Sequence, residues 1–244
     1  MTAPAHVVVA VASGKGGVGK STISLNLALA LSAEGWATGL LDADLYGPDI
    51  PLMVGITRRQ PAKSVTVWRN PRHRRPIEPL ERFGIKVVST QFLVAEDQAL
   101  SWSAPLVQLL LQRFTQDIAW GEIEFLVIDM PPGTADIQQQ LARHLDLSGA
   151  LVLLEQTSVP IIGGVENMSG LLCPSCQTVV DVFPPVAPER SVWATGVERL
   201  ASIPIHPFVS GERGRPLLVE HPESPQATAM RLLARRLRSW ADQR

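Results

Sequence analysis

Residues Gly14-Lys15-Gly16-Gly17-Val18-Gly19-Lys20-Ser21-Thr22 satisfy the spacing Gly-x-x-x-x-Gly-Lys-Ser/Thr. Glycines at these places let the backbone curl so that several N–H groups aim at phosphate oxygens, and a following helix adds its positive dipole end. The expected chemistry is nucleotide binding. Lys20 reaches the β and γ phosphates and the Ser21 hydroxyl ligates Mg2+. The pattern needs a strand before it and a helix after it. Val7 to Val11 is an apolar, β-branched run, and Ser21 to Leu31 reads as a helix.

Carboxylates follow at the ends of two further apolar runs. Leu41-Asp42-Ala43-Asp44 closes the second predicted strand, and Phe125-Leu126-Val127-Ile128-Asp129 is a strand ending in an acid. In a doubly wound sheet ligands sit outside the carboxyl ends of the strands, so all three acids are expected beside the phosphate loop. A carboxylate beside a triphosphate is costly unless it meets Mg2+ or holds a water. Asp42 and Asp129 are assigned to Mg2+ and Asp44 to the attacking water. The plainer alternative for Asp42 and Asp44 is a capping pair at a strand end. Met130-Pro131-Pro132-Gly133-Thr134 forms a stiff turn whose glycine N–H could sense the γ phosphate.

The second lysine, Lys15, resembles the deviant phosphate loop of the partitioning, septum-positioning, nitrogenase-reductase and iron–sulfur-carrier ATPases. That resemblance implies a lysine reaching across a dimer to the partner's nucleotide, with two chains enclosing two ATP molecules.

The only two cysteines lie in Cys173-Pro174-Ser175-Cys176, at the spacing of a metal site. Two thiolates are half of a zinc or iron–sulfur site. Either His or carboxylate completes it within the chain, or a second chain supplies another pair, as the dimer implied by Lys15 would. A redox dithiol is the alternative, but the motif follows a strand and an Asn-Met-Ser turn instead of opening a helix.

Taken together, Gly14 to Thr22, Leu41 to Pro51, Phe92-Leu93-Val94 with Glu96-Asp97, Trp120-Gly121-Glu122, Val127 to Gly133 and Val165 to Cys176 resemble the Mrp/ApbC family of iron–sulfur-carrier ATPases. The resemblance implies a cytoplasmic homodimer that holds a [4Fe-4S] cluster between two Cys-x-x-Cys pairs and passes it to apoproteins, with slow ATP hydrolysis. On the same resemblance Asn167 touches the adenine.

The elements that must position these residues follow from periodicity. Apolar runs at Val7 to Val11, Thr38 to Leu41, Ile85 to Ser89, Phe125 to Ile128 and Ile161 to Val165 alternate with helical patterns, which predicts an α/β doubly wound, mostly parallel sheet. The 244 residues, 45% hydrophobic, suit one domain over 1–244. The stretch 57–82, rich in Pro, Arg and His, is expected to be a surface loop. Residues 169–183 form the metal-binding segment. A net charge of -1 gives no global attraction to nucleic acid or anionic membrane.

Two features strain the expected fold. Between Gly149 and Ile161 the chain is too short for a strand and a crossover helix: either residues 150–156 are a helix remnant with a strand lost, which Leu-x-x-Leu-Glu-Gln favours, or they are the strand and the helix is lost. At the C-terminus, Met230, Leu232, Leu233, Ala234, Leu237 and Trp240 make an apolar face opposite Arg231, Arg235, Arg236 and Arg238. Packing of that face on the sheet is expected over contact with a membrane.

Overall fold

Val7–Ser13 forms strand β1, whose residues from Val8 onward are all buried. A strand enclosed on both faces must send alternate side chains into two cores. Val9 and Val11 enter one, beneath helix α1 (Lys20–Ala33), while Val8, Ala10 and Ala12 enter the other. The same division recurs in β5 (Phe125–Asp129), with Phe125 and Val127 on the α1 side and Leu126 and Ile128 opposite. A computed structural model describes residues 5–45, 47–56, 76–93, 109–110, 112–114, 116–131, 135–153, 160–173, 175–176, 178–183, 187–205 and 214–244.

β2 (Thr38–Asp42) pairs in parallel with β5 and with β4 (Ile85–Ser89), and β1 pairs in parallel with β5 and with β6 (Gly149–Leu153). Among the described residues the strand order is β3-β4-β2-β5-β1-β6-β7-β8, with β9 (Arg199–Ile205) added to β7 (Ile161–Leu172). The carboxyl ends of β1, β2, β4 and β5 therefore lie side by side at one rim. The expected α/β sheet is present, and its parallel pairing puts Asp42 directly opposite Asp129.

At the outer edge, β3 (Leu80–Arg82) pairs antiparallel with β4 through a turn at Phe83 and Gly84, both with positive φ. This corrects the expected loop 57–82 at its far end, because Leu80, Glu81 and Arg82 belong to a hairpin. Both residues of a two-residue turn with positive φ follow the right-handed twist of the strands they join. Residues 57–75 lie outside the described part, as do 94–108 and 132–134.

The expected helix remnant at 150–156 is also corrected. Gly149–Leu153 is a strand, held parallel between β1 and β7. A helix there would leave the edge of β1 without partners, whereas the strand satisfies it along Val9 to Ser13. The short connection suffices because Ala150 lies opposite Ile161. The chain must return about three residues, roughly 10 Å, and move sideways one strand spacing of about 4.8 Å. The seven residues 154–160 can reach roughly 23 Å when extended. Residues 154–159 themselves lie outside the described part. Gly149 and Ile162 approach so closely that a Cβ on Gly149 would sit 2.6 Å from the Ile162 side chain.

The C-terminal helix is the last layer. After two short helices, α2 (Ile50–Met53) and, following α3 (Ala135–His144), α4 (Leu217–Glu220), the chain enters α5 (Pro225–Ala241). Ser224 caps α5 by accepting from the Ala227 N–H, and Pro225 opens it. Ala227, Met230, Leu233, Ala234 and Leu237 are buried against α1 and the sheet. Leu232 departs from the expected apolar face, being 53% exposed. Arg235 pairs with Glu34 at 2.9 Å, Arg236 donates to the Leu200 carbonyl, and Arg238 reaches Glu124 and Asp242. The apolar face is thus spent on the protein's own core. Leu237→Ala should lower stability by about 2–5 kcal/mol and Leu232→Ala by less than about 0.5 kcal/mol in urea titrations.

Candidate functional site

The phosphate loop runs from the buried Ser13 at the end of β1 to Lys20 at the start of α1, and Gly17 and Gly19 hold φ of 77° and 83°. Such angles suit glycine and would strain any residue with a Cβ. No acidic side chain lies in the first turn of α1 and no side chain caps it. Its N–H groups stay directed at the loop, the arrangement that attracts an anion. Gly14, Lys15, Gly16 and Gly17 are exposed, Val18, Ser21 and Thr22 half-buried, and Lys20 buried. Ser13 Oγ donates to the Lys15 carbonyl at 2.9 Å, which shapes the turn that presents the exposed Lys15 side chain outward.

Behind the loop, Lys20 Nζ lies 2.8 Å from Asp129 Oδ1, and Ser24 Oγ donates to the same oxygen at 2.9 Å. Asp129 is fully buried, and its Oδ2 has no hydrogen-bond partner among the described residues. Burial pushes its carboxyl above the ordinary range, while Lys20 and the hydroxyls of Ser21 and Ser24 oppose that shift. Asp42, facing Asp129 across the β2–β5 pair, is pushed well above the ordinary range by burial first and by Asp129 second. Ser89 Oγ donates to Asp42 Oδ2 at 2.9 Å and the Asp44 N–H to Oδ1 at 3.2 Å. Asp44 accepts the Gly47 N–H at 3.1 Å on its carboxylate and the Thr90 hydroxyl at 2.8 Å on its backbone carbonyl.

Lys20, Ser21, Asp42, Asp44 and Asp129 thus gather at one rim. Ser24, Ser89 and Thr90 are additional supports that the sequence reading passed over. The signal was available: Ser24 is one helical turn beyond Lys20 inside an apolar helix, and Ser89-Thr90 ends β4 where Asp42 and Asp129 end β2 and β5.

A second group of residues reaches the same loop from β7. Asn167 Nδ2 donates to the Val18 carbonyl at 2.9 Å, and a Cβ on Gly19 would stand 2.4 Å from that nitrogen. Val165, with Leu151, Val11, Ile23 and Lys20, lines a narrow cleft under the loop. The expected Asn-Met-Ser turn is instead an irregular stretch within β7. Met168 has φ of 58°, and the register with β9 shifts between Asn167 and Leu171. For a side-chain-bearing residue such a conformation costs on the order of 1–3 kcal/mol.

Beyond the irregularity, Leu171 and Leu172 pair with β8 (Val179–Val180), and the cysteines occupy the connection. Cys173 is half-buried and Cys176 exposed. The Cys173 N–H donates to the Thr178 carbonyl, and Cys176 Sγ lies 3.3 Å from Thr178 Oγ1. Donation from Thr178 to the thiolate, aided by Cys173, lowers the Cys176 thiol to about 7. A substantial share is therefore thiolate, the form that binds soft metals, at neutral pH.

Asp42 carries a pH consequence. A carboxyl raised in the fold keeps a proton that the unfolded chain has released. Its stabilising contribution is full below the ordinary carboxylate value of 3.8 and is lost as pH rises toward the folded value. Asp42→Asn should raise the urea midpoint at neutral pH and flatten the fall in stability with rising pH, measured by unfolding titrations across pH 4–8.

The profile for ParA, described as NUBPL iron-transfer P-loop NTPase, matches residues 5–238. The iron-sulfur cluster carrier protein of Aquifex aeolicus (strain VF5) is 37% identical over 248 residues, covering 93% of this chain and 66% of that protein. The iron-sulfur cluster transfer protein NUBPL of Dictyostelium discoideum is 35% identical over 239 residues, covering 90% of this chain and 72% of that protein. The chain spans about two thirds of the length of these relatives. Among solved structures, a nucleotide-binding protein of Archaeoglobus fulgidus in complex with ADP superposes with a TM-score of 0.65 at 29% identity over 85% of each chain. The cell division ATPase MinD of Pyrococcus furiosus shares the fold, with a TM-score of 0.68 at 21% identity over 96% of this chain and 99% of that one. With a match that runs from residue 5 to residue 238, this chain belongs to the ParA family of NUBPL iron-transfer P-loop NTPases.

Proposed function

We propose that the protein is an ATP-binding and ATP-hydrolysing iron–sulfur cluster carrier of the cytoplasm, acting as a homodimer that bridges one [4Fe-4S] cluster and delivers it to apo iron–sulfur proteins. The observation that carries this reading is the accessible pair Cys173 and Cys176, held on an extension of the strand that packs against the phosphate loop. Among the described residues no three His, Cys, Asp or Glu side chains gather to hold a metal, and the chain has two cysteines. Thiolates shared between two chains reconcile these facts with the four ligands a cluster takes. The names of the relatives from Aquifex aeolicus and Dictyostelium discoideum support the same cargo.

In this reading the backbone of Gly14 to Gly19 cradles the phosphates, Lys20 leaves or shares Asp129 to contact the β and γ oxygens, and Thr22 and Asn167 complete the nucleotide site. The donor set suits Mg2+. Asp129 Oδ2 is buried without a partner, and Asp42 and Asp129 face each other with carboxyls that burial keeps high. A divalent cation would offset both. Ser21 and Asp129 would hold it, with Asp42 behind them, and its charge would stabilise the phosphate oxygens. Asp44, its carboxylate accepting the Gly47 N–H and its backbone carbonyl the Thr90 hydroxyl, would orient the attacking water. Lys15, exposed on the loop, would neutralise charge on the partner's nucleotide as it develops in the transition state.

A nucleotide-dependent membrane-positioning switch would need the apolar face of α5 for a bilayer, and that face is buried against α1 and the sheet. Among the described residues no helix is long and apolar enough to cross a membrane.

Two measurements test the reading. Anaerobic reconstitution with iron and sulfide should load about two irons per chain in a dimer and none on Cys173→Ala/Cys176→Ala. Iron that is absent, or indifferent to the cysteines, overturns the carrier role. Separately, Lys15→Ala should lower kcat for ATP by about 100-fold or more while the monomer still binds nucleotide, as removal of a trans-acting cation does.

A further inference from the structure

Among the described residues β7 is the strand that touches both candidate sites. At Val165 it lines the cleft beneath the phosphate loop, at Asn167 it donates to the Val18 carbonyl, and after Leu172 it ends in the cysteines. Only five residues of chain, 168–172, separate Asn167 from Cys173. Between them β7 loses its regular register with β9, and Met168 adopts the left-handed conformation that side-chain-bearing residues avoid. Met168 also approaches Gly19, its Cε lying 3.8 Å from where a Cβ there would stand. The irregular stretch is therefore pressed on one side by the loop and continues on the other into the Cys173–Cys176 connection.

We propose that Asn167 is a positioning residue for the cysteine pair: its hydrogen bond to Val18 ties the conformation of the nucleotide loop to the setting of β7, and through Met168 to the exposure of Cys173. This deepens the carrier reading by naming how nucleotide state reaches the cargo ligands. It rests on that reading only for its purpose, because the coupling is a property of the thiols themselves.

The loop backbone is the shared element. Phosphates bound there claim the N–H groups of Gly16 to Lys20 and set the direction of the Val18 carbonyl, the atom that accepts from Asn167. A ligand shifts an equilibrium only through differential contact with its two states, and this hydrogen bond supplies it. One neutral hydrogen bond moves such an equilibrium by about two- to tenfold, which sets the size of the expected effect. Cys173, half-buried and bonded through its N–H to Thr178, is the residue whose accessibility can change, and the exposed Cys176 provides an internal reference.

The test uses the reduced full chain without a cluster. Alkylation of each cysteine by iodoacetamide is followed by mass spectrometry, without nucleotide and with Mg-ADP or a non-hydrolysable ATP analogue at concentrations shown to saturate each variant. In the wild type, nucleotide should change the Cys173 to Cys176 labelling ratio by roughly threefold or more. Asn167→Ala should abolish that response with nucleotide bound, and Asn167→Gln, which keeps the amide donor, should restore part of it. Met168→Gly, which relaxes the left-handed residue and leaves the nucleotide contacts in place, should change the ratio without nucleotide. A wild-type ratio indifferent to nucleotide, or a full response in Asn167→Ala, overturns the proposal. Failure to load iron with the labelling response intact would instead remove the carrier reading and leave the coupling standing.

Discussion

The buried contact between Lys20 and Asp129 is the constraint on which the rim of the sheet is organised. Lys20 is the first residue of α1 and Asp129 the last of β5, so a single 2.8 Å ion pair locks the start of the helix to the end of the central strand. Taking two charges out of water costs several kcal/mol per ion, so a hydrophobic pair could stabilise the fold as well. What the ion pair supplies is a cation held in a dry place beside backbone N–H groups. Ser24 adds a donor to Oδ1, and among the described residues Oδ2 is left without one. That unsatisfied carboxylate oxygen, beside a second buried acid at Asp42, is the feature on which the proposed Mg2+ site rests.

The parallel sheet explains why these groups converge. In parallel strands every carboxyl end falls on the same side, so residues far apart in sequence, Val11, Asp42, Ser89 and Asp129, become neighbours by register. The carboxyl end of β4 contributes no charge, but the hydroxyl of Ser89 there holds Asp42 and that of Thr90, just beyond the strand, holds the backbone of Asp44. Such supports fix rotamers and spare the site the cost of ordering them when ligand arrives.

On the other side of β1 the chain economises. The connection between β6 and β7 has no room for a helix and a strand together, and the strand prevails because β1 and β7 both need hydrogen-bond partners across it. β7 then carries its chain past the regular sheet, where the irregularity at Met168 separates a segment held by the phosphate loop from one that bears the thiols. Register also shifts between Ala150 and Leu151 in β6 against β7 and between Gly164 and Val165 in β7 against β9, while the left-handed Met168 lies where the two candidate sites meet.

Sequence by itself determined the phosphate loop, the strands that enclose it and the acids that end them. Those features depend on local spacing: glycines that permit positive φ at Gly17 and Gly19, β-branched runs, and a charge placed where a strand must stop. It also marked the cysteine pair and the amphipathic terminal helix. Tertiary structure alone decided the rest. Whether residues 150–153 were helix or strand turned on the empty edge of β1, a long-range demand that outweighs the helical propensity of a leucine-rich segment. The exposure of Leu232 followed from which face of α5 packs on the core, the one bearing Met230, Leu233 and Leu237, and the hairpin at Leu80–Arg82 from an edge of β4 that a neighbouring strand could cover. The contact of Asn167 with Val18 joins residues 149 apart in the chain, and no local pattern encodes it. Local sequence sets what each segment can be; hydrogen-bond and packing demands from distant segments choose among those options.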